Sequence, residues 1–390
     1  MDYSFDSIIP RENTSCVKYD RKDQIFGNSS VTPLWVADMD FATPEFIRQA
    51  LLQRIDHPIL GYTFLSTEVI DAAIGWVNRR HGWKIENDWI CLCPGIVPAI
   101  NFAVLANSSV GEKVVIQPPV YTPFFAAIED HKRIIVENPL HENEGYYTMD
   151  LNHLEEKFKE GAKILILSNP HNPTGRVYTK KELVELSSLA SKYDVVIVSD
   201  EIHCDILMPN QMHTPIASIS EDAANRTITF MAPSKTFNLA GLTTGIAIIP
   251  NEILRRKFND IINSLHLSMG NIFGMVAMQA AYTSGDEWVD KLNTYIFNNL
   301  QIITKTLNSS KAPFHAITPE GTYLSWIDFR EFRLSQNELN KILIEKAKVG
   351  LSDGTIYGSQ GLGFQRLNAA SPKSVLENAL IQIVDSFSNR

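Results

Sequence analysis

The strongest constraint on the fold of this chain is the alternation of two periodicities along it. Short, β-branched runs with almost no charge stand at 114–117, 134–136, 164–167, 195–198, 227–230 and 245–249. Strands buried on both faces read this way, because neither side of the pleat needs polar residues. Between the runs lie helical stretches such as 180–193, which begins after Thr179, a suitable N-cap. Strand and helix alternating in this way predict an α/β fold, a mostly parallel sheet with helices on both faces.

The pattern changes near residue 285. A long amphipathic helix is expected over 288–307, then a strand over 322–328, a helix over 337–348, a short strand over 364–368 and a final helix over 374–387. That part reads as a smaller α+β domain. A chain of 390 residues exceeds what one core usually supports, so the expected division is 1–45, an N-terminal segment packing on the small domain; 46–284, a large domain; and 285–390, the small domain.

Composition removes several classes of function. The net charge is −9, and basic residues cluster only briefly, as at Arg255-Arg256-Lys257, so neither nucleic acid nor an anionic membrane is an expected partner. No apolar run approaches the ~18 residues of a membrane span. The acidic start Met-Asp-Tyr-Ser-Phe-Asp does not read as a signal peptide. Cys16, Cys91, Cys93 and Cys204 have neither Cys-x-x-Cys nor zinc spacing and read as reduced thiols of a cytoplasmic protein. His171 and His213 have no partner at metal-ligand spacing, so no metal is expected. Tyr146-Tyr147 reads as a packed turn, and Gly361-Leu362-Gly363 precedes a strand, which excludes a dinucleotide fingerprint.

Polar residues follow several of the buried runs: Ser168-Asn169-Pro170, Ser199-Asp200-Glu201 and Ala232-Pro233-Ser234-Lys235. In an open parallel sheet, ligands bind beyond the carboxyl ends of the strands, so these stretches are expected to converge on one edge. Singly, each has an ordinary explanation: a loop lysine, an N-cap aspartate, an Asn-Pro-Gly turn around Asn172, a surface salt bridge at Arg366. Together they supply what pyridoxal 5′-phosphate (PLP) chemistry needs. A lysine amine binds the cofactor, a carboxylate keeps its ring nitrogen protonated, donors hold its ring oxygen and phosphate, and a cation orients the substrate carboxylate.

In these motifs the chain resembles the fold-type I PLP enzymes, the aspartate aminotransferase superfamily. Within it, the chain looks like the cystathionine β-lyase and cystalysin branch of C–S lyases. The resemblance rests on Val-Ala-Asp-Met-Asp-Phe at 36–41, Leu-Gly-Tyr-Thr at 60–63, Pro-Val-Tyr at 119–121 and Asn-Pro-His-Asn-Pro-Thr-Gly-Arg at 169–176. Further matches are Ser-Asp-Glu-Ile-His at 199–203, Ala-Pro-Ser-Lys-Thr-Phe-Asn-Leu-Ala-Gly at 232–241, Glu-Gly-Thr-Tyr-Leu at 320–324 and Gly-Phe-Gln-Arg-Leu-Asn at 363–368.

The resemblance implies the PLP-dependent transferase fold, with a mostly parallel seven-stranded sheet in the large domain. It implies Lys235 as the cofactor-binding lysine and proton shuttle at Cα, Asp200 as partner of the ring nitrogen, Asn172 as donor to the ring oxygen and Tyr121 stacked on the ring. The phosphate falls to the N–H groups of Ile96 and Val97 after Gly95, with the Ser234 hydroxyl added. Arg366 binds the substrate carboxylate, with Asn169 and Ala37 beside it, and His203 steadies the ring. Tyr62 reaches the phosphate of a neighbouring subunit, which implies a homodimer with shared sites.

His203 and Thr243 stand where many aminotransferases carry a tyrosine and a phosphate-binding arginine, and both departures agree with the lyase branch. Thr122 stands where cystalysin-like sequences can carry a second tyrosine. The expected activity is cleavage of cystathionine, cysteine or S-substituted cysteines to thiol, pyruvate and ammonia. The alternatives are transfer of the amine to a 2-oxo acid, or a regulatory protein that retains the fold.

Overall fold

A computed structural model describes residues 3–388. Its main sheet has seven strands: β1 (Ile90–Cys93), β2 (Lys113–Ile116), β3 (Ile134–Glu137), β4 (Ile164–Ser168), β5 (Val196–Asp200), β6 (Thr227–Met231) and β7 (Gly245–Ile248). They lie in the order β1-β7-β6-β5-β4-β2-β3. Only β7 runs antiparallel to its neighbours. The central strands are buried along their whole length, as in Ile164–Ser168 and Thr227–Met231. This is why β-branched runs without alternation form them.

Parallel pairing puts the strand ends that matter side by side. Ser168 pairs with Asp200, and Asp200 with Phe230. The chain beyond β6 turns at once into the short helix Pro233–Thr236, with proline at its start. Lys235 therefore sits on a tight helical turn at the same sheet edge as Asp200. The helix Lys180–Lys192 that separates β4 from β5 is held by the expected Thr179 cap, in a full capping box with Glu182.

A second, four-stranded antiparallel sheet follows in sequence: β8 (His315–Ala316), β9 (Leu324–Asp328), β10 (Ser352–Asp353) and β11 (Phe364–Asn368), ordered β8-β9-β11-β10. Arg366 lies on the inner strand β11, opposite Trp326 and Ser352. The N-terminal segment pairs with this part of the chain through Thr32–Pro33 and Val349–Gly350. The Asn368 side chain then donates to the Val36 and Asp38 carbonyls. Lys18 is fully buried against Asp40 at 2.8 Å, and Arg11 bridges Asp38 and Asp40, both at 2.6 Å. Pairing of this kind offsets the cost of burying charge, and Arg11 and Lys18 also donate to the Met39 and Asp38 carbonyls, which holds the backbone there.

Three local expectations differ from what is observed. The helix expected over 337–348 is α-helical only over Gln336–Lys341 and widens to a π turn at Ile342–Lys346, where Ile342 and Leu343 are both buried. The extra residue in that turn lets adjacent side chains face the core. The strand expected from Thr322 begins at Leu324, because Thr322 adopts a left-handed φ of 69°. Tyr146-Tyr147 is not a turn but one arm of a hairpin, His141–Asn143 with Tyr146–Thr148. There the Tyr147 hydroxyl accepts the Trp326 indole N–H at 3.0 Å.

Candidate active site

The two sheets and the N-terminal segment enclose a cavity of ≈ 690 Å³ at the carboxyl edge of β4–β6. Lys235, Asp200, Asn172, Tyr121, Arg366, His203, Ser234 and Ala37 all line it, as do Gly95, Ile96 and Val97. Residues far apart in sequence meet here because parallel strands deliver their ends to one edge.

Lys235 and Asp200 carry the strongest electrostatics. The half-buried Lys235 donates its Nζ to the Ala37 carbonyl at 2.8 Å. Burial, followed by repulsion from Arg366, pulls its ammonium down to about 8. The Asp200 carboxylate accepts the Ile202 N–H at 3.2 Å. Burial pushes it up to about 6, although that N–H and Lys235 pull the other way. A carboxylate this buried, with so few donors, is suited to a cationic partner in the cavity.

Arg366 is equally buried. One of its terminal nitrogens donates to Asn172 Oδ1 at 3.0 Å, the other to the Trp35 carbonyl at 2.7 Å. Its Nε has no partner among the described residues. Held from behind, the guanidinium is a fixed cation for a carboxylate. Across the cavity, the helix Ile96–Asn107 starts at Gly95, whose φ of 97° only glycine adopts readily, and no side chain caps its first turn. That turn faces the cavity with its N–H groups, a natural anion seat. Tyr121 packs edge-on to Phe124, and burial raises its hydroxyl above the ordinary value.

His203 is buried, and burial, with Lys235 and Arg366 nearby, drives its imidazole well below the ordinary value. Its ring is packed edge-on against Tyr323, with centroids 5.7 Å apart, which suits a positioning role against a ring. His171 is likewise pulled to about 3 by burial and bonds Thr174.

Two expected site residues lie elsewhere. Asn169 is outside the cavity lining. Its Oδ1 accepts the Tyr178 N–H, so it braces the turn beside Asn172. Tyr62, expected to serve a neighbouring subunit's site, is 96% exposed and outside the cavity lining of its own chain. Sequence reasoning missed Trp35, Ser352, Ile356 and Tyr357, which also line the cavity. The Val120 N–H donates to the Tyr357 carbonyl, and Thr122 Oγ1 donates to the Ile356 carbonyl at 2.6 Å. No short motif marks these residues: Trp35 arrives on the N-terminal segment, and Ser352, Ile356 and Tyr357 on the second sheet and its connecting turns.

The residues present fit PLP. The uncapped, glycine-started helix suits its phosphate, the sparsely bonded Asp200 suits its ring nitrogen, and the half-buried Lys235 amine suits its aldehyde.

Comparison with known proteins agrees with this arrangement. A family model for aminotransferases of class I and II matches residues 29–383. The chain is 42% identical over 386 residues to cystathionine beta-lyase PatB of Bacillus subtilis, covering 99% of this chain and 100% of that protein. It is 33% identical to protein MalY of Escherichia coli over 99% of both. Cystalysin from Treponema denticola, whose structure contains a PLP cofactor, matches with a TM-score of 0.97 at 36% identity over 100% of both chains. The PLP-bound C–S lyase from Staphylococcus hominis matches with a TM-score of 0.93 at 32% identity, over 99% of this chain and 98% of that one.

Proposed function

From the premise that the chain belongs to the aminotransferase class I and II family, we propose that it works as a PLP-dependent carbon–sulfur β-lyase. Its substrates are cystathionine, cysteine or S-substituted cysteines, and its products are a thiol, pyruvate and ammonia. The observation that carries this reading is the single cavity in which Lys235, Asp200 and Arg366 converge at one sheet edge. The full-length similarity to cystathionine and C–S lyases supports it.

Bound PLP supplies an aldehyde for the substrate amine and a protonated ring that withdraws electrons from Cα. In this reading Lys235 binds the aldehyde, Asp200 keeps the ring nitrogen protonated, and Asn172 donates to the ring oxygen. The Ile96 and Val97 N–H groups and the Ser234 hydroxyl hold the phosphate, while Tyr121 and His203 pack on the ring. Arg366 grips the substrate carboxylate and so fixes which bond at Cα points toward Lys235. Freed when the substrate amine replaces it at the aldehyde, the Lys235 amine would take the Cα proton. The thiol leaves from the β-carbon, and hydrolysis of the remaining three-carbon fragment yields pyruvate and ammonia.

The reading extends to assembly. Leu52, Ile55, Ile59, Leu60, Tyr62 and Phe64 are each more than half exposed, an apolar band that suits burial against a second copy. Tyr62 belongs to that band and would reach the partner's phosphate site. No helix among the described residues is long and apolar enough to cross a membrane. The four cysteines are free, as fits the cytoplasm. The divisions 1–45, 46–284 and 285–390 remain our reading of the domains.

The test is to incubate the holoenzyme with cystathionine and no 2-oxo acid, measuring pyruvate and free thiol. Both should appear together. An enzyme that turns over only when a 2-oxo acid is added, moving the amine to it, is an aminotransferase, and the lyase reading falls.

A further inference from the structure

Beside the cavity, and outside its lining, lies a buried polar cluster that the reaction as described does not use. Asp205 is its centre. Its carboxylate accepts the Thr236 hydroxyl at 2.8 Å, faces His81 Nε2 at 3.0 Å, and accepts the Trp76 indole N–H at 3.2 and 3.3 Å. The His81 ring meets the His213 ring edge-on, with centroids 5.4 Å apart. His213 Nε2 in turn faces Glu201 at 2.7 Å. Glu201 also accepts the Ser199 hydroxyl at 2.8 Å and the Ile216 N–H at 3.3 Å. Thr236, Asp205, Glu201 and His213 are all buried, and the His81 side chain is 2% exposed.

The two ends of this cluster have a particular place in the chain. Thr236 follows Lys235, and Glu201 follows Asp200. Consecutive side chains at a strand end point to opposite sides, so Asp200 faces the cavity while Glu201 turns away from it. The Thr236 backbone is held as well, since its carbonyl accepts the Trp288 indole N–H at 3.0 Å. The Asp205 backbone carbonyl accepts the Asn293 side chain at 2.8 Å.

We propose that Asp205 and Glu201 are positioning residues: with Thr236, His81 and His213 they form a buried clamp that fixes the backbone of Lys235 and Asp200 from outside the cavity. The proposal rests on the lyase reading above. The clamp touches neither substrate nor cofactor. It acts because Lys235 sits on a single helical turn, Pro233–Thr236, too short to be rigid alone. Burial raises the Asp205 carboxyl, but His81 and Thr236 outweigh it and hold it below the ordinary value, as expected of an anion satisfied on several sides. Asp205 and His81 lie close to Cys204, but the carboxylate is already filled by an indole N–H, a hydroxyl and an imidazole. That filling suits a structural anion better than a metal ligand.

Thr236→Val removes one hydroxyl donor at nearly constant volume, and Thr236→Ser restores it. Asp205→Asn removes the charge that His81 faces. In the PLP-loaded protein, Thr236→Val and Asp205→Asn should each lower kcat ~10-fold, the equivalent of about 1.4 kcal/mol, with KM changed much less. They should also shift the pH midpoint of the visible cofactor band by roughly half a unit or more, because Lys235 no longer keeps one geometry. Thr236→Ser should return both readouts to wild type. Variants whose apoprotein melts earlier while the band midpoint and kcat stay at wild-type values would show a merely structural cluster and overturn the proposal. A wild-type protein that shows no visible band on adding PLP would instead overturn the lyase reading beneath it. If Asp205→Asn does not fold, Thr236→Val alone decides, since it disturbs a single hydrogen bond.

Discussion

Asp200→Asn should make the cofactor-free protein more stable at neutral pH while disabling the enzyme. Burial pushes the Asp200 carboxyl from 3.8 up to about 6. An unfolded chain releases that proton near pH 4, whereas the folded chain holds it until about pH 6. Over that interval the folded state binds more protons than the unfolded one, so stability falls as pH rises. A shift of roughly two units at ~1.4 kcal/mol each amounts to about 3 kcal/mol lost by pH 7.5. Asparagine never ionises, and its side-chain oxygen can still accept the Ile202 N–H that Asp200 accepts. The variant should therefore match wild type near pH 4 and exceed it by ~2–3 kcal/mol at pH 7.5. Urea unfolding of both apoproteins across that range measures the difference directly. A variant no more stable than wild type at pH 7.5 would refute the reasoning. So would a gain equal at pH 4 and pH 7.5, since it could not come from an ionised carboxylate. In the loaded enzyme the same change should cost ~10²–10³ in kcat, because a preorganised charge has been removed.

Three further outcomes follow from the same geometry. Uptake of PLP by the apoprotein needs the neutral Lys235 amine, so its rate should rise ~10-fold from pH 6 to pH 7 and level off above pH ~9; a rate still climbing about tenfold between pH 8 and pH 9 would mean an unperturbed lysine. Arg366→Lys should raise KM by roughly 10–100-fold, because a point charge cannot replace the fork held by Asn172 and the Trp35 carbonyl; an unchanged KM in steady-state assays would remove Arg366 from substrate binding. Subunit-exchanged mixtures of Tyr62→Phe and Lys235→Ala should regain wild-type turnover in a fraction of sites; mixtures that never exceed the sum of their parents, with exchange verified, would show that each chain builds its own site.

Much of the fold is legible in the sequence because it is written in local signals. The runs at 164–167 and 227–230 are β-branched and uncharged, and both are strands buried on every residue. Thr179 caps its helix with the predicted register. Most residues expected around the cofactor sit at strand ends or just beyond them, where periodicity stops and polar residues begin, whereas Arg366 lies within a strand of the second sheet. What failed is what depends on tertiary context. The helix expected over 337–348 breaks into a π turn to bury two adjacent side chains. Asn169 and Asn172 share one motif, yet a tight turn sends the first to Tyr178 and the second to Arg366. The clamp around Asp205 joins His81, His213 and Thr236 from separate elements, and no spacing rule connects such positions.

The exceptions to ordinary packing point to one ligand. Asp200 is a buried carboxylate with a single N–H bonded to it, and Lys235 is a half-buried ammonium facing one carbonyl. Arg366 keeps an unpartnered Nε. The helix at Gly95, like several others in the chain, begins without a side-chain cap, and its start lies at the cavity itself. Each would cost the fold on its own, since buried charges and uncapped helix starts are unfavourable. Elsewhere the same chain treats buried charge differently: Lys18 is matched by Asp40, and Asp205 is filled by three donors. The chain can therefore satisfy buried charges, and Asp200, Lys235 and Arg366, which it satisfies only in part, share one cavity. A molecule with a phosphate, a basic ring nitrogen and an aldehyde answers the uncapped helix, Asp200 and Lys235, and an amino acid's carboxylate answers Arg366. The unpaired charge at Asp200 is thus the complement of the cofactor's ring nitrogen, which is why removing it should stabilise the apoprotein and abolish the use of the site.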